Sequence, residues 1–359
     1  MGCCAWFGVK CSGIGVVTQL NLPKNNLIGN IPSTLGQLNG LVHLDLSENG
    51  LTGSIPTEIS SINTLKYINM EMNKLSGSLP KDIGKLSLLQ QLHLRNNSFT
   101  GPIPETWMEL PALQGLYLSG NKLSGPVPKT LAKLSSLRDL YLDHNNFTGK
   151  IPEEIGSIHS LEQLNLRGNK LKGPIPESLY NLSRLNSLLL GDNEISGSIS
   201  ERLGNLISIK NMDLSFNELR GNIPKSIGNL ANIEKLTLNH NQLTGAIPEQ
   251  IALLGNLTYI SLNYNQLSGS FPLVPAPPHL EYCKMQPNIF QVCPPSEVMN
   301  NAGSLAARCQ LDCGDGETKK KSAVSPKAEA DEATASVGNT SKSKESILAA
   351  IVFFSVLLL

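Results

Sequence analysis

The chain has 359 residues, 40% of them hydrophobic and 16% charged, with 29 basic and 29 acidic side chains. A formal net charge of zero leaves no basic footprint for nucleic acid. No glycine-rich phosphate loop, His-Glu-x-x-His or Gly-x-Ser-x-Gly stretch occurs, which points away from nucleotide, zinc-protease and serine-hydrolase chemistry.

The first sixteen residues carry Cys3, Cys4, Trp6, Gly8 and Cys11. From residue 17 a period of 24 takes over. Asparagine recurs at Asn25, Asn49, Asn73, Asn97, Asn121, Asn145, Asn169, Asn193, Asn217, Asn241 and Asn265 without an insertion or deletion. The frame around it reads, in the second unit, Leu41, Leu44, Leu46, Asn49, Leu51, Gly53, Ile55, Pro56. A fixed period of this size specifies a solenoid whose units bury their apolar faces against one another. The Leu-x-Leu pairs, such as Leu92 with Leu94 and Leu140 with Leu142, alternate as inward residues of a short strand do. Successive strands are expected in parallel, about 4.8 Å apart. An asparagine amide both donates and accepts, so the repeated residue is expected to satisfy backbone groups where the chain turns. All eleven are read as structural.

Leu-x-x-Leu-x-Leu-x-x-Asn-x-Leu followed by Gly-x-Ile-Pro resembles the plant-type leucine-rich repeat of receptor-kinase ectodomains and polygalacturonase-inhibiting proteins. The resemblance covers residues 17–280. It implies an α/β solenoid, a right-handed superhelix with a parallel sheet on the concave face. In that subclass Gly-x-Ile-Pro starts a second short strand, and the convex side carries 3₁₀ or helical turns. Residues 33–38 fit such a turn, burying Leu35 and Leu38. Ser200 stands where one repeat departs from proline.

The start, Cys4-Ala5-Trp6-Phe7-Gly8-Val9-Lys10-Cys11, resembles the family's N-terminal cap. That resemblance implies a Cys4–Cys11 disulfide, with Trp6 covering the first coil and Cys3 left for an upstream cysteine. With seven cysteines in all, an odd number, it suggests an incomplete N-terminus. Residues 281–313 hold Cys283, Cys293, Cys309 and Cys313. Their spacing suits a disulfide-stapled cap better than a zinc site. Three pairings are possible and the sequence does not choose among them; 283–309 with 293–313 is the expectation carried forward. Residues 314–346 contain no aromatic residue and read as a disordered stalk. Residues 347–359 are apolar or small, too few to span a bilayer. With the small residues and polar spacer before them they form a glycosylphosphatidylinositol signal, attached at Ser336, Gly338 or Asn339. Sequons at Asn96, Asn146, Asn181, Asn256 and Asn339 accord with secretion.

The period also indexes the surface. Residues two, four and six before each asparagine face outward on the concave side. There repeats four to seven bring together His93, Arg95, Tyr117, Asp139, Tyr141, Asp143, Asn165 and Arg167. Tyrosine and arginine are frequent interface hot spots, so this patch is expected to grip a peptide, a protein or a glycan. The alternative is plain polar cover of a strand surface. No catalytic constellation, metal site or cofactor is expected. The function expected is non-enzymatic recognition outside the cell, at the plasma-membrane surface or cell wall, on a lipid anchor and acting through a membrane co-receptor. Alternatives are inhibition of a secreted polysaccharide hydrolase and a structural or adhesive wall role.

Overall fold

The computed structural model describes residues 2–290 and 292–311. The expected stalk, the anchor signal with Ser336, Gly338 and Asn339, and Cys313 lie outside the described residues. Among those described, two sheets run the length of a solenoid. One has 13 strands and the other 11.

The 13-stranded sheet begins with Val9–Cys11, antiparallel to Val17–Asn21, and every later strand joins in parallel up to Tyr282–Lys284. Its register is that of the repeat: His93 faces Tyr117, and Tyr117 faces Tyr141. Residues at one offset from the asparagines therefore stand in line across the sheet. The inward leucines, Leu92, Leu116, Leu140 and Leu164 among them, are fully buried. Each such side chain stabilises the stack by about 1.5–3 kcal/mol. Ten 3₁₀ turns, from Ser33–Gln37 to Glu249–Leu253, line the convex side. Leu35 is buried, while Leu38 is only partly covered, since it lies in the first repeat.

The second sheet differs from expectation. Its strands, such as Gly50–Gly53 and Lys74–Ser78, lie on the residues just after the asparagine and, the last one (Gln266–Leu267) excepted, end at or one residue past the glycine. Gly-x-Ile-Pro closes this strand instead of opening it. The glycine takes a positive φ, 75° at Gly53 and 84° at Gly77, which breaks the extended run. The following proline then stands at the N-terminus of the 3₁₀ turn, as Pro56 and Pro80 do. Ser200 fills the same place with a side-chain cap: its hydroxyl accepts from Arg202 N and donates to Glu177 Oε2 at 2.9 Å.

The asparagine ladder is formed. Asn145 Nδ2 donates to Leu118 O, Leu142 O and Asp143 O, and its Oδ1 accepts from Leu123 N. From Asn49 onward each rung thereby ties its own turn to the preceding repeat. A twelfth rung, Asn288, follows Asn265 one residue short of the period and bonds to Leu262 O, Met285 O and Leu267 N. The repeat architecture therefore continues into the region read as a C-terminal cap.

Cys4 is bonded to Cys11 and Cys283 to Cys309. Cys293 is disulfide-bonded as well. Trp6 packs partly buried against the core. Cys3 is a free thiol beside the Cys4–Cys11 bond, so the three clustered sulfurs offer no metal site. Among the described residues no helix is long and apolar enough to cross a membrane.

Candidate functional site

The concave face between repeats two and six carries a row of rings. His43 stacks on Tyr67 with centroids 4.2 Å apart, and Tyr67 meets His93 at 5.3 Å. His93 stacks on Tyr117 at 4.2 Å, and Tyr117 on Tyr141 at 5.4 Å. The strand register sets His43 opposite Tyr67, His93 opposite Tyr117 and Tyr117 opposite Tyr141, while Tyr67, which faces Gln91, meets His93 diagonally; aromatic pairs at such distances stabilise each other. His43 and Tyr67 were legible in the outward positions but not counted in the patch.

Arg95 is the centre of the site. Its guanidinium carbon lies 4.4 Å from the Tyr117 ring centroid and 4.5 Å from that of Tyr141. Both rings attract the cation through their electron-rich faces. Arg95 makes no ion pair among the described residues, and its Nε is buried without a hydrogen-bond partner there. The guanidinium is thus positioned by two rings, with its charge uncompensated by a carboxylate in contact.

The acidic members are tied down. Tyr117 donates its hydroxyl to Asp139 Oδ2 at 2.9 Å, and Ser119 donates to Asp143 Oδ1 at 2.6 Å. Gly115 makes the first bond possible. A Cβ there would stand 2.2 Å from Gln91 Oε1 and 2.5 Å from Tyr117 Cε2. Ser119 and Gly115 contribute although neither is charged or aromatic, and Gly115 carries no side chain to mark it in the sequence.

Asn165 faces Tyr141 across the strands, and its Oδ1 accepts from Arg167 N. Arg167 itself turns away from the patch. Its Nη1 pairs with Asp213 Oδ2 at 2.5 Å, beyond the small residues Ser187 and Gly191 of the intervening repeat. Of the eight candidates, five, namely His93, Arg95, Tyr117, Asp139 and Tyr141, form one contacting cluster. Asp143 joins the site's edge through Ser119, Asn165 borders it, and Arg167 belongs to another contact.

The electrostatics follow. Burial first, and the Arg95 charge second, lower His93 to about 4, so the ring is neutral at neutral pH. Burial, then the bond to Asp139, pushes the Tyr117 phenol well above its usual range. Burial also raises Tyr141, followed by the charge of Asp139. The site is a surface of neutral rings around one cation and one hydrogen-bonded carboxylate.

Fold and site together define a repeat protein with an open concave face lined by rings. The chain belongs to the leucine-rich repeat family: the model described as leucine-rich repeat region matches residues 128–311, and two further leucine-rich repeat models match residues 87–147, 40–62 and 64–86. Among solved structures it is similar to the ectodomain of the Arabidopsis thaliana membrane receptor kinase GASSHO1/SCHENGEN3, in complex with CASPARIAN STRIP INTEGRITY FACTOR 2. The identity is 37% over 75% of this chain and 33% of that one, with a TM-score of 0.73. The Arabidopsis receptor kinase HAESA, in complex with the peptide hormone IDA and the co-receptor SERK1, is 30% identical over 84% of this chain and 55% of that one, TM-score 0.72. A plant ice-binding protein is 30% identical over 68% of this chain and 80% of that one, TM-score 0.64. The chain spans a third to about half of the receptor ectodomains that it matches first. No curated protein matches.

Proposed function

We propose that this chain is a non-enzymatic recognition protein of the cell exterior that binds a peptide on the concave face of repeats four to seven. The observation that carries the reading is Arg95: a guanidinium held between two tyrosine rings, with no ion pair among the described residues. A guanidinium so oriented suits an acidic group of a ligand, through charge-assisted hydrogen bonds. The rings beside it supply apolar contact at low entropic cost. Two similar receptor ectodomains were solved with CASPARIAN STRIP INTEGRITY FACTOR 2 and with the peptide hormone IDA, which supports a peptide as the ligand class. The second was solved with the co-receptor SERK1, which supports a membrane co-receptor as a further partner. The disulfides accord with an oxidising compartment.

The test is selection of a random displayed-peptide library on the protein. Acidic peptides should be enriched. The variant combining Arg95→Ala, Tyr117→Ala and Tyr141→Ala should lose their binding while keeping its melting transition. Unchanged binding by the folded triple variant would exclude this surface as the site.

A further inference from the structure

A second row of rings stands outside the concave patch. The residue before each of the eleven ladder asparagines has a positive φ, 66° at Gly120, 65° at Gly168, 52° at Phe216, 55° at His240 and 54° at Tyr264 among them. Glycine meets that requirement without steric cost, and bulky side chains rarely adopt it. Three successive repeats nevertheless place Phe216, His240 and Tyr264 there. Their rings stack, with centroids 4.1 Å and 4.2 Å apart and planes within 12° and 17° of parallel. They are not core residues: Phe216 is 47% exposed and Tyr264 49%.

The turn does not require these rings, because glycine serves it in two other repeats. Packing does not require them either, because they project from the edge of the coils. Burial first, and Lys284 second, hold His240 below the usual imidazole range, so the middle ring is neutral at neutral pH. At the Phe216 end, Asp192 occupies the same turn position one repeat earlier, and Glu194 and Glu218 directly follow the ladder asparagines. All three are exposed, and none is in an ion pair among the described residues. No sequon falls in these turns.

We propose that the Phe216–His240–Tyr264 ridge docks a second protein whose contact surface is apolar and edged by lysine or arginine. The ring edges offer the apolar contact. Phe216 presents the face not covered by His240, and the three carboxylates at that end, with Lys172 opposite Glu194 as the one cation set against them in the sheet register, favour cations and disfavour acidic partners. This surface is separate from the concave patch and stands whether or not that patch binds a peptide.

The probe is a short synthetic peptide alternating arginine and leucine, compared with one alternating glutamate and leucine, titrated against the whole protein. The basic peptide should bind and the acidic one should not. Combined Phe216→Gly, His240→Gly and Tyr264→Gly should weaken binding at least about tenfold while a single cooperative melting transition is retained, since glycine suits the backbone there. Asp192→Asn, Glu194→Gln and Glu218→Gln together should weaken it comparably with the rings intact. Equal binding of both peptides, binding of neither, or parental affinity in the triple-glycine variant would overturn the proposal. So would a dimer of the parent protein that the glycine variant loses, which would assign the ridge to self-association.

Discussion

Arg167 reaches past a whole repeat to pair with Asp213, 2.5 Å away, over the glycine at position 191. Asp213 is nearly buried and also accepts from Ser215 N at 3.0 Å, Ser215 Oγ at 2.5 Å and Thr237 Oγ1 at 2.7 Å. A Cβ at Gly191 would come within 2.7 Å of its carboxylate. The pair locks repeats seven to nine and takes Arg167 out of the ring cluster. Asp213→Ala, which strands four donors, should lower unfolding free energy by about 3 kcal/mol in denaturant titrations. Arg167→Ala should cost about 1 kcal/mol, because its side chain is 40% exposed.

Gly115 leaves room for the Tyr117 ring beside Gln91. Gly115→Ala should displace the ring, break its bond to Asp139 and cost about 1–2 kcal/mol. The readout is spectrophotometric titration of the phenols. In the parent, Tyr117 resists ionisation through burial and its hydrogen bond. In the variant one more tyrosine should ionise in the ordinary alkaline range, and an unchanged titration would show the ring unmoved.

His93 should make stability fall on acidification. Its folded pKa, about 4, lies below the unfolded value near 6.5. The unfolded chain therefore binds the proton first, and the stabilising contribution, complete above 6.5, is lost as pH falls towards 4. His43 and His240 are lowered by burial and act in the same direction. Glu71 is raised by burial and acts oppositely. Comparing melting temperatures of the parent and His93→Gln between pH 4 and 7 isolates the contribution; the variant's profile should be flatter.

The ladder asparagines should not be equivalent. Asn145 is buried and makes four bonds to backbone atoms. Asn145→Ala should cost about 3 kcal/mol or more, by leaving carbonyls and an amide unpaired. Asn25, exposed at the first repeat, should tolerate alanine with little loss. Equal losses would mean that the ladder is not what ties the repeats together.

Much of this was legible because the period is rigid. Counting back from Asn97, Asn121 and Asn145 found His93, Tyr117 and Tyr141, and the parallel register brought them into contact. The same count could not see that Arg95 lies between two rings while Arg167 leans the other way. Both occupy the same repeat position, and their directions depend on neighbours: tyrosines beside one, a glycine gap beside the other. The twelfth rung was hidden by one missing residue before Asn288. The second aromatic row was missed because only alternating strand positions were read as outward, and the turn residue before each asparagine escapes that alternation.

Whether Arg95 receives an acidic group of a peptide is decided by a double-mutant cycle. An enriched acidic peptide and its amide counterpart, with Glu→Gln or Asp→Asn, are each titrated calorimetrically against the parent and Arg95→Ala. A coupling of about 1 kcal/mol or more between the peptide carboxylate and Arg95 is predicted. Independent, additive losses would contradict the account.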